Sequence, residues 1–228
     1  MTPPVPAPTP FSTLIAIVGP SGTGKSSALR NLPQDSTRII DAERKGMPFR
    51  VTNPAAVISS DNRDKLLVEI RKAAKDPAVK IIALDSVTAG IDQLQVYCEK
   101  MYKGFDIWKN YNDGIQDLFN ELKATRKIGI ITSLEEIVQI QGLDGGITTR
   151  RRAFVQGKEW ANKGIESECI AVWTSFAKRD KETGKIQYFL GTQTDGVTLA
   201  KTPPFWGLAD VIPNDVNEAL KKIEAAVA

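Results

Sequence analysis

The chain has 228 residues, 42% hydrophobic and 25% charged, with a formal net charge of +3. That suits one α/β domain with a sizeable core; no apolar run approaches the ~20 residues that cross a bilayer, and so small a charge does not by itself point to nucleic acid. Histidine is absent and the two cysteines, Cys98 and Cys169, lie far apart, which excludes Ser-His and Cys-His nucleophiles, a disulfide framework and a structural zinc site. A soluble protein of a reducing cytoplasm, with no membrane partner, is expected. Its chemistry must rest on carboxylates, lysine, arginine and a hard cation.

Residues 1–10 hold five prolines and neither a basic nor an apolar block. They read as an extended, mobile arm rather than a targeting segment, and 11–228 as the folded domain. From there strands and helices alternate: strand 14–18, helix 25–31, strand 38–41, helix 61–75, strand 79–84, helices 88–103 and 112–126, and strand 128–133. This rhythm predicts a mainly parallel sheet with helices on both faces. Further on, 169–176 and 186–190 predict an antiparallel hairpin closing one side of that sheet.

Within this frame Gly19, Pro20, Ser21, Gly22, Thr23, Gly24, Lys25 and Ser26 fit G-x-x-x-x-G-K-[ST] between a predicted strand and a predicted helix. Glycines let backbone N–H groups wrap phosphates, and the helix start at Ser26 and Ser27 adds positive potential. Lys25 is expected to neutralise the β- and γ-phosphates and the Ser26 hydroxyl to ligate Mg²⁺. An ordinary glycine turn is the bland alternative.

Two acids complete the pattern. Asp85 ends the apolar strand Ile81-Ile82-Ala83-Leu84 at the carboxyl edge of the sheet, and is expected to hold Mg²⁺ through water. It could instead cap the next helix. Glu43, in Ile40-Asp41-Ala42-Glu43, emerges at the same edge, where a carboxylate can deprotonate water for in-line attack on a γ-phosphate. Its alternative is a solvated glutamate at a strand end.

The phosphate loop, Ile40-Asp41-Ala42-Glu43 and Leu84-Asp85-Ser86 together resemble the RecA-like P-loop core, with closest similarity to small phage-encoded RecA-like ATPases of recombination and single-strand annealing. The resemblance spans about residues 11–212 in motif order. It implies Mg²⁺-dependent ATP hydrolysis coupled to single-stranded DNA and a homo-oligomer, filament or ring, in which a neighbour completes the site. A single-strand binding protein as further partner, and the cytoplasm of a bacterial host, follow from the same likeness. Lys178, Arg179 and Lys201 are of the right type and place for the cation acting across subunits, with no choice among them. Thr132 and Ser133 stand where many relatives carry Gln or His.

Two stretches suit DNA. Gly104–Tyr111 reads as a segment between two helices that offers Trp108 and Lys109 to bases, although Phe105 and Trp108 could simply pack on the core. Gln139–Lys158 reads as a glycine-bearing mobile loop concentrating Arg150, Arg151, Arg152 and Lys158, or as a solvated charge run. The rival to a DNA-coupled ATPase is a nucleoside monophosphate kinase, because the loop also resembles that of guanylate kinases and Arg150–Arg152 could form a lid. The closely following strand, with no arginine-tyrosine acceptor motif after it, argues against that reading. A GTPase is disfavoured because Asn162-Lys163-Gly164-Ile165 lacks the aspartate of N-K-x-D.

Overall fold

The structure is a computed structural model that describes residues 13–141 and 146–227. The proline-rich arm, together with Gly142 and Gly145 of the basic stretch, lies outside the described residues.

The first strand, β1 (Leu14–Gly19), is buried throughout. Its side chains alternate: Leu14, Ala16 and Val18 enter one apolar core, Ile15 and Ile17 the other. This is the two-sided burial that a β-branched run without polar interruptions dictates. After β1 come β2 (Thr37–Asp41), β3 (Val57–Ser59), α1 (Arg63–Lys75), β4 (Ile81–Asp85), α2 (Val87–Met101) and α3 (Phe105–Ala124). Two helices carry side-chain caps of the usual kind: Asn62 accepts the Lys65 N–H at 2.9 Å at the head of α1, and Ser86 caps α2. Then follow β5 (Ile128–Gln141), β6 (Ile147–Ala153), α4 (Lys158–Lys163), β7 (Ala171–Arg179), β8 (Ile186–Gly191), β9 (Val211–Pro213) and α5 (Val216–Val227).

The strands form one sheet in the order β3-β2-β4-β5-β1-β7-β8-β9; off this path β6 pairs with β5, and its Arg151 also bridges to Thr198. Strands β3, β2, β4, β5, β1 and β7 are parallel; β8 and β9 continue antiparallel. The architecture is the expected one: a mainly parallel α/β sheet with an antiparallel C-terminal extension. Among the described residues no helix is long and apolar enough to cross a membrane.

Helices α1, α2 and α3 cover one face through Leu66, Ile70, Ile91, Leu94, Ile115 and Phe119. The other face is covered differently from expectation. The helix expected over 25–31 is a 3-10 turn at Ser26–Leu29. Pro33 lies seven residues past Ser26 and forbids continuation, while Ser and Asn between them are weak helix formers. The C-terminal α5, not among the predicted elements, fills the space with Val216, Ala219 and Leu220 against Leu29 and Trp206.

Two further expectations need correction. Gly104–Tyr111 is no linker: α3 starts at Phe105, directly after Gly104 at φ 59°. Ile107, Tyr111, Ile115, Leu118 and Leu122 supply one continuous helical stripe, and the fully buried Tyr111 donates its hydroxyl to the Gln156 carbonyl at 3.1 Å. Similarly, Gln139–Lys158 is not a glycine loop. Its described residues complete β5, form β6 and enter α4, and the ladder runs from Glu135↔Ala153 to Gln141↔Ile147. Ile137, Val138, Ile147, Thr148 and Thr149 are β-branched, which favours a paired hairpin over an open loop.

Candidate nucleotide site

Because β1, β2, β4 and β5 are parallel, Gly19, Asp41, Asp85 and Leu134 all come to the carboxyl edge of the sheet. A cleft of about 760 Å³ opens there, lined by Gly24, Lys25, Ser26, Glu43, Asp85 and Tyr188 among others. That is within the size range of small-molecule sites. Of the predicted phosphate-loop residues, Ser21, Gly22 and Ser27 line it too.

Two loop glycines are sterically required. A Cβ on Gly19 would meet the Ser175 carbonyl oxygen at 2.5 Å. Gly24 has φ +88°, and a Cβ there would approach Asn214 Nδ2 at 2.8 Å and the Tyr188 ring at 3.0 Å. The loop is held from outside by Ser175 Oγ, which donates to the Thr23 carbonyl at 2.6 Å, and by Asn214 Nδ2, which donates to the Gly24 carbonyl at 2.9 Å. Thr23 donates to the Pro20 carbonyl at 2.9 Å.

Lys25 Nζ donates to the carbonyls of Gly19 at 2.9 Å and Pro20 at 2.7 Å. Burial lowers its pKa, opposed by the charges of Asp85, Glu43 and Glu135. An ammonium that donates to the carbonyls of its own loop can exchange those partners for phosphate oxygens. Asp85 is buried, and burial pushes its carboxyl up; hydrogen bonds from Thr132 and Ser26 hold it back. Asp85 and Ser26 thus stand side by side, as a Mg²⁺ site needs. Among the described residues no group of three or more His, Cys, Asp or Glu could hold a metal alone. One acid and one hydroxyl fit an ion that takes its remaining oxygens from phosphates and water.

Glu43 is placed by the turn leaving β2. Asp41 Oδ2 accepts the Gly46 N–H at 2.9 Å, and Gln93 Nε2 donates to the carbonyls of Ala42 at 2.9 Å and Ser60 at 3.0 Å. The Glu43 Oε1 accepts the Ser86 hydroxyl at 2.9 Å, and its Oε2 lies 2.5 Å from Lys45 Nζ. Burial alone would raise its pKa, but hydrogen bonds from Lys45 and Ser86 and the charges of Lys45 and Lys25 hold it below the ordinary glutamate value. The two acids of the cleft are therefore pushed apart, which suits separate roles.

Arg30, Lys45, Tyr188 and Asn214 also line the cleft, and no sequence motif marks them. Lys45 follows Glu43 by two residues, and that nearness is a signal that could find it. Asn214 is 190 residues from its partner Gly24, and no local signal points to it.

The remaining predicted residues lie elsewhere. β7 runs parallel to β1 and continues beyond the level of Gly19, so Lys178 and Arg179 project exposed at the same sheet edge without lining the cleft. Lys178 lies over the Phe176 ring, and Arg179 donates to the Gly184 carbonyl. Lys201 forms a bridge with Val172 near mid-sheet. Its side chain lines a second recess, of about 300 Å³, with Arg150, Arg152, Lys163 and Glu166. Arg152 is bound to Glu136 at 2.9 Å and to the Ala161 carbonyl, and Arg151 reaches Glu135 at 3.4 Å; Arg150 is exposed. Trp108, Lys109 and Lys158, from two distant stretches, line a third, largely apolar cleft with Phe105. Asn162 borders both this cleft and the basic recess.

Residues 12–203 match the AAA_24 family of AAA domains. The chain belongs to this family. It is accordingly a P-loop ATPase domain, and the phosphate loop, Asp85 and Glu43 all fall inside the matched span. None of the curated proteins compared with it matches. Among solved structures it is similar to the KaiC-like protein PH0186 from the hyperthermophilic archaeon Pyrococcus horikoshii OT3, with a TM-score of 0.43 and 13% identity over 79% of this chain and 78% of that one.

Proposed function

We propose that this protein is a RecA-like, Mg²⁺-dependent ATPase that couples hydrolysis to single-stranded DNA, in recombination or strand annealing of the phage type. The observation that carries the coupling is the course of β5. One continuous strand holds Thr132, which donates to Asp85, and then Val138, which pairs with Arg150 in the basic hairpin. Such a course would let a load on the hairpin act along β5 on the acid beside the phosphate loop.

In this reading Lys25 and the loop amides hold the β- and γ-phosphates, and Ser26 and Asp85 hold the metal. Bound Mg²⁺ would draw charge from the phosphate oxygens. Glu43 orients a water in line with the γ-phosphate and takes its proton. The aromatic cleft of Trp108, with Lys109 and Lys158 at its rim, offers a stacking surface for bases, and Arg150 offers charge to the backbone. Their adjacency through Asn162 supports one continuous strand path. Lys178 and Arg179, which project beyond the cleft's edge, suit a cation given to a neighbouring copy in a filament or ring, and Lys201 is the third candidate. A single-strand binding protein as partner and a bacterial host's cytoplasm belong to the same proposal. The kinase lid gains no comparable support, since Arg151 and Arg152 are tied to Glu135 and Glu136 and none of the three arginines lines the nucleotide cleft.

Phosphate release from ATP, measured with and without single-stranded DNA, and phosphate transfer to GMP or AMP test the assignment. DNA-stimulated release without transfer is expected. Transfer to a monophosphate, or release indifferent to DNA, would overturn it.

A further inference from the structure

Glu43 has both carboxylate oxygens engaged. One accepts the Ser86 hydroxyl at 2.9 Å, and the other lies 2.5 Å from Lys45 Nζ. A carboxylate so occupied is a poor proton acceptor, because both the hydrogen bond and the positive charge favour its ionised form. The two partners differ in what it takes to remove them. Ser86 is buried and also caps α2. The Lys45 side chain is 75% exposed, so it can swing away at little cost in packing.

Lys45 lines the same cleft as the phosphate-loop residues Gly24, Lys25 and Ser26. It shares a recess of about 290 Å³ with Ser26, Asp41, Glu43 and Asp85. Its backbone is set by a constrained turn, with Arg44 at φ 55° and Gly46 at φ 75°. The left-handed conformation costs a non-glycine residue such as Arg44 about 1 kcal/mol, and here it persists because Asp41 holds the Gly46 N–H. The turn fixes where the Lys45 backbone enters the cleft, while its long, exposed side chain is able to change partner.

We infer that Lys45 is a switch cation that distinguishes nucleoside triphosphate from diphosphate: it blocks Glu43 in the resting site and transfers to the terminal phosphate when a triphosphate enters. The transfer involves no covalent change. One ion pair replaces another, and the freed Glu43 oxygen becomes available to the attacking water. The γ-phosphate carries more charge than a single carboxylate and so competes successfully for an ammonium. A diphosphate has no γ-phosphate to offer as the competing partner, which on this inference leaves Glu43 covered and spares the site from idle opening.

This inference rests on the ATPase reading above, and its test separates the two. Binding of ADP and of a non-hydrolysable ATP analogue is measured with Mg²⁺ for the intact chain, Lys45→Ala, Glu43→Gln and the double variant. Lys45→Ala is expected to weaken the triphosphate analogue by about tenfold and ADP by less than about twofold. Glu43→Gln frees Lys45 in advance and is expected to tighten the analogue severalfold. The same substitution is expected to do less when Lys45→Ala is already present. Equal loss of both nucleotides, or no loss of either, would overturn the switch. So would a gain from Glu43→Gln that is as large without Lys45, since that gain would reflect only relief of repulsion between the glutamate and the phosphate. If the intact chain bound neither nucleotide, the ATPase reading itself would fail.

Discussion

Thr132 donates its hydroxyl hydrogen to the carboxylate of Asp85 across the seam between β5 and β4, and both side chains are buried. The pair joins the strand that leads to the basic hairpin with the acid that stands beside Ser26. Thr132→Val keeps the shape and removes the donor, so burial pushes the Asp85 carboxyl higher still. Hydrolysis should then need about tenfold more Mg²⁺ for half-maximal rate, as expected on losing a partner that orients a metal ligand. A Mg²⁺ titration of phosphate release checks this.

Lys25→Ala should abolish hydrolysis and strongly weaken nucleotide binding, because a methyl group cannot replace an ammonium among phosphate oxygens. Equilibrium binding of a fluorescent ATP derivative is the measurement. Turnover at the wild-type rate would remove the phosphate loop from the active site.

For DNA, the geometry separates arginines that are engaged from those that are presented. Arg151 and Arg152 are paired with Glu135 and Glu136, whereas Arg150 and Lys158 are exposed or at a cleft rim and Trp108 faces its cleft. Arg150→Ala with Lys158→Ala should lower the slope of log affinity against log salt by ~0.7 for each DNA phosphate that is no longer neutralised. Trp108→Ala should weaken binding by about 1–3 kcal/mol through loss of stacking while leaving that slope alone. Salt titrations of fluorescent oligonucleotide binding separate the two effects.

Glu168 offers a check on stability away from the nucleotide cleft. It is 8% exposed and takes hydrogen bonds from Lys123 and Lys163. Burial alone would raise its pKa; the two lysines outweigh burial and hold it below the ordinary glutamate value. A depressed folded-state pKa means that the stabilisation is complete above the ordinary glutamate range and is lost as pH falls through the lower, folded value. Because both lysines are more than a third exposed, solvent screening limits the effect to about 1 kcal/mol. Glu168→Gln should therefore lower Tm at neutral pH by about 2–4 °C, with the difference shrinking below about pH 4. Thermal melts across that range measure it.

Much of this molecule is legible from sequence, because its strands are uninterrupted apolar runs and its phosphate loop is a contiguous motif. The parallel sheet and the β7–β8 hairpin follow from such runs. The C-terminal helix that covers the second face follows from none: Val216, Ala219 and Leu220 are spaced apolar residues rather than a run, and nothing local says that the helix expected after Ser26 leaves a space for them. In the basic segment, glycines and arginines mask the β-branched residues that pair as a ladder, because a turn signal and a flexible loop share the same composition. At the nucleotide site, the loop, Asp85 and Glu43 are legible as motifs. Tyr188 and Asn214 are not, because they reach Gly24 only through the fold.

Glu43 as the base for hydrolysis is the assignment on which the reading of this P-loop site turns. Its most direct test is a single comparison of the intact chain with Glu43→Gln, measuring Mg²⁺-ATP binding and phosphate release on the same samples. Retained binding is predicted, with hydrolysis reduced by about two or more orders of magnitude. Hydrolysis at an undiminished rate, or binding and hydrolysis lost together, would contradict it.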